Sequence, residues 1–240
     1  PPEQPGEGSI MFARRHPFLF FLLAFTALVG GTVVCLSLIL TLGFGVPRLD
    51  LGPKVGVIEI SGAITEAEDT LARLKAFRED DTVRAIVIRI DSPGGSVGPA
   101  QEIYSEIRKT IPTKKIIASM GSVAASGGYY LAAAANGIVA NPGTITGSIG
   151  VIMGYTDLQE AFRKIGLTPV VIKSGAFKDM GSPLREMSAE ERAILQGFVD
   201  QIHEQFVQAV AEGRNMDSAA VAPLADGRIY SGQEALELGL

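Results

Sequence analysis

The chain of 240 residues carries a formal net charge of −5, 47% hydrophobic residues and a single cysteine. The negative charge is opposite to the basic footprint of nucleic-acid-binding proteins, and one cysteine excludes an internal disulfide or a cysteine metal cluster. Once a long apolar run near the N-terminus is set aside, about 190 residues remain, enough for one domain with a hydrophobic core. We expect neither a metal nor another cofactor.

The apolar run at residues 18–42 contains no charged residue. At about 1.5 Å of rise per residue, a helix of this length exceeds a hydrocarbon core of roughly 30 Å. A cleaved signal peptide is the alternative, but its apolar core usually has only about 7–15 residues. Arg14 and Arg15 precede the run, which favours a cytoplasmic N-terminus and an exported C-terminal part at the inner (plasma) membrane. The predicted parts are a tail at 1–17, a transmembrane helix at 18–42, a linker at 43–53 and a catalytic domain at 54–240.

Beyond the linker, strand-like runs alternate with amphipathic stretches, which predicts an α/β domain of parallel βαβ units. The predicted strands are Val55–Ile60, Ala85–Ile90, Lys115–Met120, Gly137–Ala140 and Val170–Ile172. The predicted helices are Thr70–Arg78, Val97–Lys109, Ser126–Ala135, Asp157–Ile165, Glu190–Glu212 and a last helix capped by Ser231 and Glu234. Right-handed crossovers direct the strand-to-helix loops to one edge of the sheet, where the glycine-bearing loops at 91–96, 121–128 and 141–150 are expected to meet.

Ser126 is the candidate nucleophile. It lies in Ala124-Ala-Ser-Gly-Gly128, which resembles the Gly-x-Ser-x-Gly nucleophile elbow with alanine in place of the first glycine. The N–H of Gly127, at the start of a helix, is suited to stabilise an oxyanion. The alternative is that Ser126 merely caps the helix. Ser119 and Ser122 lie nearby but lack small residues on both sides.

A serine becomes an effective nucleophile when a base removes its proton. The two histidines offer little, because His16 precedes the apolar run and His203 lies within a helix with no motif around it. A lysine is the economical base, although a lysine base must be neutral near pH 7 against an ordinary pKa of about 10.4. Lys178, next to Phe177, is the candidate, and Lys173 is the alternative.

Two further loops carry candidate groups. Gly94 and Gly95 lie between a predicted strand and helix, where their N–H groups can face an anion or simply form an ordinary turn. The segment lacks the Lys-Ser/Thr of a nucleotide-binding P-loop. Ser148 is a candidate to orient the lysine amine by a hydrogen bond, and the alternative is a turn serine.

Together these segments resemble the signal peptide peptidase A family, the membrane-anchored serine–lysine proteases of the Clp protease/crotonase-like fold. The resemblance extends over residues 55–240. It rests on five ordered motifs: Asp91–Ser96, Ser122–Tyr130, Gly143–Val151, Lys173–Asp179 and Gly227–Ala235. Asp91 stands where relatives often have asparagine.

The resemblance implies roles for particular residues. Ser126 is implied as the nucleophile, Lys178 as the general base and Ser148 as the group that orients the lysine. Gly94 and Gly95 are implied as the source of an oxyanion donor, with Gly95 favoured.

The resemblance also implies a substrate and an assembly. Cleaved signal peptides and other unfolded apolar peptides are the implied substrates. The short form of the family builds a ring in which serine and lysine come from neighbouring protomers, so a monomer is expected to be inactive. This chain starts without methionine, and relatives usually continue past the Gly-Leu at 239–240, so we expect a fragment that is trimmed at both ends.

Three other functions stay open from the sequence. A crotonase-type acyl-CoA enzyme shares the fold and the glycine-rich loops, but it needs no serine nucleophile and lacks a supply of CoA outside the cell. A non-catalytic membrane scaffold would not require Ser126, Ser148 and Lys178. A protease that works with a stomatin-like partner would use the same dyad on another substrate.

Overall fold

The computed structural model describes residues 16–43 and 52–240. Nearly all of the predicted tail at 1–17 and most of the predicted linker at 43–53 lie outside the described residues. The chain divides into two compact units between Leu51 and Gly52, and each unit is described by itself.

The N-terminal unit contains helix α1, Pro17–Gly43, close to the bounds predicted from the sequence. The hydroxyls of Thr26 and Thr32 donate to carbonyls one turn back, to Leu22 at 2.6 Å and to Leu28 at 2.8 Å. These bonds satisfy the two hydroxyls within the helix itself. By length and composition, α1 is able to span a membrane.

The C-terminal unit is an α/β domain. Its strands are β1 Lys54–Ser61, β2 Val83–Ser92, β3 Lys115–Ala125, β4 Gly137–Val139, β5 Ile145–Gly147 and β6 Ile229–Ser231. Its helices are α2 Glu68–Glu79, α3 Val97–Thr110, α4 Gly127–Ala133, α5 Gln159–Lys164, α6 Ala189–Arg214, α7 Ser218–Val221 and α8 Gly232–Leu238, with a 3₁₀ turn at Ala222–Leu224.

The strands form one sheet in the order β1-β2-β3-β5-β6, with β4 also paired to β3. The pairs from β1 to β5 are parallel, and only β6 runs antiparallel to its neighbour. The predicted α/β domain of parallel strands is therefore confirmed. Alternate residues of β2, Ile86, Ile88 and Ile90, are completely buried because they face the helices that cover the sheet.

The structure differs from the sequence reading at several places. The predicted strand Val170–Ile172 is a loop, with Ile172 98% exposed, because no strand lies beside it among the described residues. Strands β5 and β6 have only three residues each, too few to show an alternating pattern. The last helix ends at Leu238, and Gly239 follows it in the left-handed conformation with φ of 78°.

Helices α4 and α6 cross at a contact that requires a glycine. A Cβ on Gly213 of α6 would lie 1.9 Å from the carbonyl oxygen of Ala133 in α4. Because backbone atoms cannot move aside as a flexible side chain does, this contact fixes how closely α6 packs behind the helix that follows Ser126. Gly197, earlier in the same helix, has open space around it.

We predict that Gly213→Ala lowers the free energy of unfolding by about 1–3 kcal/mol, because the added methyl group forces the two helices apart. Gly197→Ala is the matched control. It should raise stability by about 0.5–1 kcal/mol, because alanine restricts the unfolded chain and favours helix. Thermal or urea unfolding of the detergent-solubilised protein measures both, and equal effects of the two substitutions would contradict the proposed contact.

Candidate active site

Ser126 occupies the sharp turn between β3 and α4. Its φ of 51° and ψ of −120° lie in a region that side-chain-bearing residues rarely adopt. The Ser126 N–H donates to the carbonyl of Gly147 at 2.9 Å, and the Ser126 carbonyl accepts from the N–H of Tyr130 at 2.8 Å. These two bonds hold the strained residue between β5 and α4.

The Ser126 side chain does not cap α4. The serines at the starts of α6 and α8, Ser188 and Ser231, both accept from the helix backbone in capping boxes. The helix-cap alternative raised by the sequence is therefore wrong, and the Ser126 hydroxyl remains available for chemistry.

The glycine pair that follows β2 packs directly against this turn. A Cβ on Gly94 would lie 2.7 Å from the Gly127 nitrogen and 2.9 Å from the Ser126 Cβ. Only a glycine permits this approach, and Gly94 also has φ of 103°. Two of the three glycine-bearing loops expected to meet at the sheet edge thus touch each other.

The N–H groups of Gly95 and Gly127 are suited to bind an oxyanion beside Ser126. Gly95 lies opposite Ile64 in a parallel bridge, in which the Ile64 N–H donates to the Gly94 carbonyl and the Ser96 N–H donates to the Ile64 carbonyl. Because neither bond uses the Gly95 N–H, that group points away from the bridge. Gly127 is the first residue of α4, where helix N–H groups have no intrahelical acceptor. The Gly95 nitrogen lies 3.3 Å from the position that a Cβ on Gly127 would take, so the two groups are close neighbours.

Ser148 approaches the same site from the third loop. It also has φ of 51°, and its N–H donates to the carbonyl of Arg228 at 2.8 Å. The N–H of Gly227 donates in turn to the carbonyl of Ile149 at 3.1 Å. The segment at 225–228 therefore supports the backbone that carries Ser148.

A pocket of about 580 Å³ opens at these residues. Ser126, Ser148, Gly95 and Gly127 line one side of it. Helices α3, α4 and α6 contribute an apolar wall: Val97, Ala100, Tyr130, Val199, Ile202 and Phe206. The lining also includes Val151 and Ile152 and several polar side chains: Ser96, Gln101, Gln196, Asp200, His203 and Asp226.

The sequence reading missed the pocket residues of α6. It noted His203 only as a mid-helix residue, whereas the structure places His203 in the pocket wall with Nε2 at 2.6 Å from the carbonyl oxygen of Ala225. The sequence signal that could have found these residues was helical spacing, because Val199, Ile202 and Phe206 lie on one apolar stripe of α6, and this stripe faces the pocket. That stripe predicts a buried face but not what lies opposite it.

Two predicted site residues do not line the pocket, Gly94 and Lys178. Gly94 still packs against the Ser126 turn, whereas Lys178 lies elsewhere. It lies in an exposed turn, where its N–H donates to the carbonyl of Gly175 at 3.2 Å, and it does not line the pocket in the described part of the chain. The alternative base, Lys173, is already engaged, with Nζ 2.5 Å from Asp179 Oδ1 and 2.7 Å from the carbonyl of Ala176.

The turn that carries Lys178 is joined to the start of α6 by an ionic contact. Arg185 Nη1 donates to Glu191 Oε2 at 2.8 Å, and Glu191 is only 3% exposed. Hydrogen bonds from Arg185, with a further one from the Ser188 backbone, lower the pKa of Glu191 from 4.5 to about 2. Among the described residues, no group of three or more His, Cys, Asp or Glu side chains is arranged to hold a metal.

A strained serine at a strand-to-helix turn, two N–H groups beside it and a largely apolar pocket are typical of a serine hydrolase that acts by covalent catalysis. Comparison with known proteins narrows this class. Residues 109–240 match the model of peptidase family S49. The chain belongs to this family, with its Clp protease-like fold, and its enzyme class is that of the serine proteases.

Three relatives show how far the similarity extends. A Synechocystis sp. protein named for a protease is 47% identical over 189 residues, covering 78% of this chain and 68% of that protein. An Enterococcus faecium protein named for signal peptide peptidase SppA is 43% identical, covering 72% of this chain and 51% of that protein. Serine protease SPPA of the Arabidopsis thaliana chloroplast is 36% identical, covering 77% of this chain and 28% of that protein.

The ionic contact between Arg185 and Glu191 at the start of α6 predicts that acid lowers the stability of the folded protein. Because the pKa of Glu191 is lower in the folded protein, its contribution to stability is complete above about pH 4.5 and is lost as the pH falls towards about 2. Glu191→Gln keeps the capping geometry but removes the charge. In scanning calorimetry, the melting temperature of the parent should fall more steeply over this pH range than that of the variant. Parallel plots of melting temperature against pH would contradict the prediction.

Proposed function

We propose that this protein is a membrane-bound serine endopeptidase in which Ser126 is the nucleophile and Lys178 the general base, and that it degrades cleaved signal peptides and other unfolded apolar peptides. The observation that carries the proposal is the Ser126 turn itself. Its strained backbone, uncommitted hydroxyl and neighbouring N–H groups of Gly95 and Gly127 form the arrangement that acyl transfer requires.

The proposed reaction has two stages. The neutral amine of Lys178, oriented by Ser148, accepts the Ser126 proton as the hydroxyl oxygen attacks the peptide carbonyl carbon. The N–H groups of Gly95 and Gly127 stabilise the oxyanion, and Lys178 passes the proton to the departing amine. In the second stage a water molecule gives a proton to Lys178 and attacks the acyl carbon. The bond from that carbon to Ser126 Oγ then breaks, Lys178 returns the proton to the serine oxygen, and the new carboxyl end is released.

A neighbouring protomer is the proposed source of Lys178 for each pocket. The support is that Lys178 does not line the pocket of its own chain, and that the segment 165–177 before it exposes much apolar surface. In this segment Ile165 is 70% exposed, Val170 82% and Ile172 98%. Such apolar surface is expected at contacts between proteins, and a homo-oligomeric ring would bury it and complete the site.

The pocket and α1 support the proposed substrate and location. The apolar wall that includes Val199, Ile202 and Phe206 suits apolar side chains of an extended peptide, and one relative is named for signal peptide peptidase. We propose that α1 anchors the protein in the inner (plasma) membrane with its N-terminus in the cytoplasm. The catalytic domain would then lie on the exported side, where cleaved signal peptides remain in the bilayer.

A crotonase-type acyl-CoA enzyme remains the alternative, because such an enzyme also uses glycine N–H groups. The uncommitted Ser126 hydroxyl in a strained turn favours the peptidase, since a crotonase-type reaction needs no nucleophile there. Measured binding of a CoA ester at the pocket, together with unchanged turnover in Ser126→Ala, would favour the alternative.

Ser126→Ala and Lys178→Ala are each expected to lower turnover of a fluorogenic apolar peptide by about 10³-fold or more, because the first removes the nucleophile and the second its general base. Lys173→Ala should retain turnover within about tenfold of the parent, because Lys173 contributes a partly exposed ion pair with Asp179 and a hydrogen bond to the Ala176 carbonyl. Initial rates of the detergent-solubilised oligomer test this. Equal losses in Lys173→Ala and Lys178→Ala would overturn the assignment of the base.

Co-assembly of Ser126→Ala chains with Lys178→Ala chains tests the shared site. In randomly mixed rings, about a quarter of the contacts pair an intact serine with an intact lysine, so about a quarter of the parent activity should return. Each variant alone serves as the inactive control, and separate affinity tags establish that both chains are present. Absence of activity in assemblies that contain both chains would show that the two residues act within one chain.

A further inference from the structure

The Tyr130 side chain separates the catalytic pocket from a second cavity. This cavity is a cleft of about 440 Å³ beside α3, α4 and α6, and residues of α6 form most of its lining: Gln201, Glu204, Gln205, Gln208, Ala209 and Glu212. Tyr130 lines both the pocket and the cleft, and no other residue in the described part of the chain lines both. Its ring is therefore the boundary between the two spaces.

Two aromatic side chains hold the Tyr130 ring in place. The ring centroid of Tyr104 lies 4.7 Å from that of Tyr130, and the centroid of Phe206 lies 4.9 Å from it in an edge-to-face arrangement. Both neighbours are themselves fixed, because the Tyr104 hydroxyl donates to the carbonyl of Ala209 at 3.2 Å and Phe206 is buried. The Tyr130 ring is thus supported from α3 and from α6.

The backbone of Tyr130 is tied to the nucleophile. The Tyr130 N–H donates to the carbonyl of Ser126 at 2.8 Å, one helical turn back along the chain. This bond fixes how far the ring stands from the Ser126 turn. A side chain that enters the pocket beside Ser126 therefore meets a boundary at a set depth.

Two further features describe this boundary. Gln101 lines the pocket and Gln205 lines the cleft, and Gln101 Nε2 donates to Gln205 Oε1 at 2.8 Å across the gap between α3 and α6. Burial raises the pKa of the Tyr130 hydroxyl to about 12, so the ring is uncharged at neutral pH. The end of the pocket at Tyr130 is therefore closed and uncharged.

We propose that Tyr130 is a specificity-determining residue, whose ring limits the size of the substrate side chain next to the cleaved bond. Leucine and smaller aliphatic residues are accepted there, and tryptophan is excluded. The side chain concerned belongs to the residue whose carbonyl Ser126 attacks, because Tyr130 lies one turn from Ser126. The inference rests on the proposed function, since it takes peptides as the substrates, and it adds an upper size limit.

The physical reason is overpacking. A ring that is supported on both sides cannot yield to a larger side chain without displacing Tyr104 or Phe206, which is unfavourable in a packed interior. A mismatch of even one methylene group in an apolar pocket changes discrimination by about 10–200-fold. Removal of the ring should join the pocket to the cleft and relieve this exclusion.

Two peptide coumarin amides that differ only in leucine or tryptophan before the cleaved bond test the proposal. The detergent-solubilised parent should have a kcat/KM at least about tenfold higher for the leucine peptide. Tyr130→Ala should reduce this preference by about tenfold or more, because it opens the way to the cleft. Tyr130→Phe keeps the ring and should keep the preference of the parent.

Gln208→Ala is the matched control. Gln208 lines the cleft but not the pocket, so its removal enlarges the cleft without opening the boundary, and the preference should equal that of the parent. If Tyr130→Ala does not assemble, Tyr130→Leu replaces it and should reduce the preference by at least about threefold. Equal cleavage of both peptides by the parent, or an unchanged preference in the assembled variant, would overturn the inference.

Binding measurements separate failure of this inference from failure of the proposed function. Fluorescence anisotropy gives the Kd of the two labelled peptides for Ser126→Ala, with and without Tyr130→Ala. If cleavage does not depend on Ser126, the proposed function is wrong, and the ratio of the two Kd values still decides the role of Tyr130. If cleavage depends on Ser126 but the preference does not depend on Tyr130, only this inference is overturned. If neither peptide binds, both are wrong.

Discussion

The strained backbone at Ser126 is the constraint on which the site depends. A non-glycine residue with φ of 51° and ψ of −120° costs about 1–3 kcal/mol, so surrounding structure has to hold it in place. Two hydrogen bonds, to Gly147 and from Tyr130, contribute about 1 kcal/mol each. Close packing by Gly94 leaves no space for the turn to relax. In the resulting conformation the Ser126 side chain makes no helix-capping hydrogen bond.

The sheet brings together the loops that provide this support. Between β2 and β3 the register changes, from Ile90 opposite Met120 to Ser92 opposite Ala124. Extra residues in β3 would leave backbone groups unpaired there, and the Asp91 carboxylate accepts the Val123 N–H at 3.0 Å. An asparagine carbonyl oxygen could accept the same bond. β3 thereby extends to Ala125 and delivers Ser126 to the end of the strand.

The two halves of the proposed dyad are supported by different kinds of interaction. Ser126 is fixed by backbone hydrogen bonds and by glycine contacts within the folded core. The turn that carries Lys178 is fixed by ionic contacts of Arg185 with Asp179 and Glu191, in a segment with much exposed apolar surface. In the described part of the chain, Lys178 does not line the pocket that Ser126 lines.

Local sequence patterns determined much of this protein. The uncharged run at 18–42 specified a helix, the β-branched residues at 85–90 specified a buried strand, and the glycine-bearing motifs identified Ser126, Ser148, Gly94 and Gly95. These features depend on neighbours close in the chain, so the sequence alone reveals them. Tertiary structure alone decided that Val170–Ile172 is a loop, that His203 and Asp200 enter the pocket, and that Arg185 joins Asp179 to Glu191. These contacts depend on which distant segments pack together, because β-pairing, pocket walls and ion pairs require a partner that local periodicity does not specify.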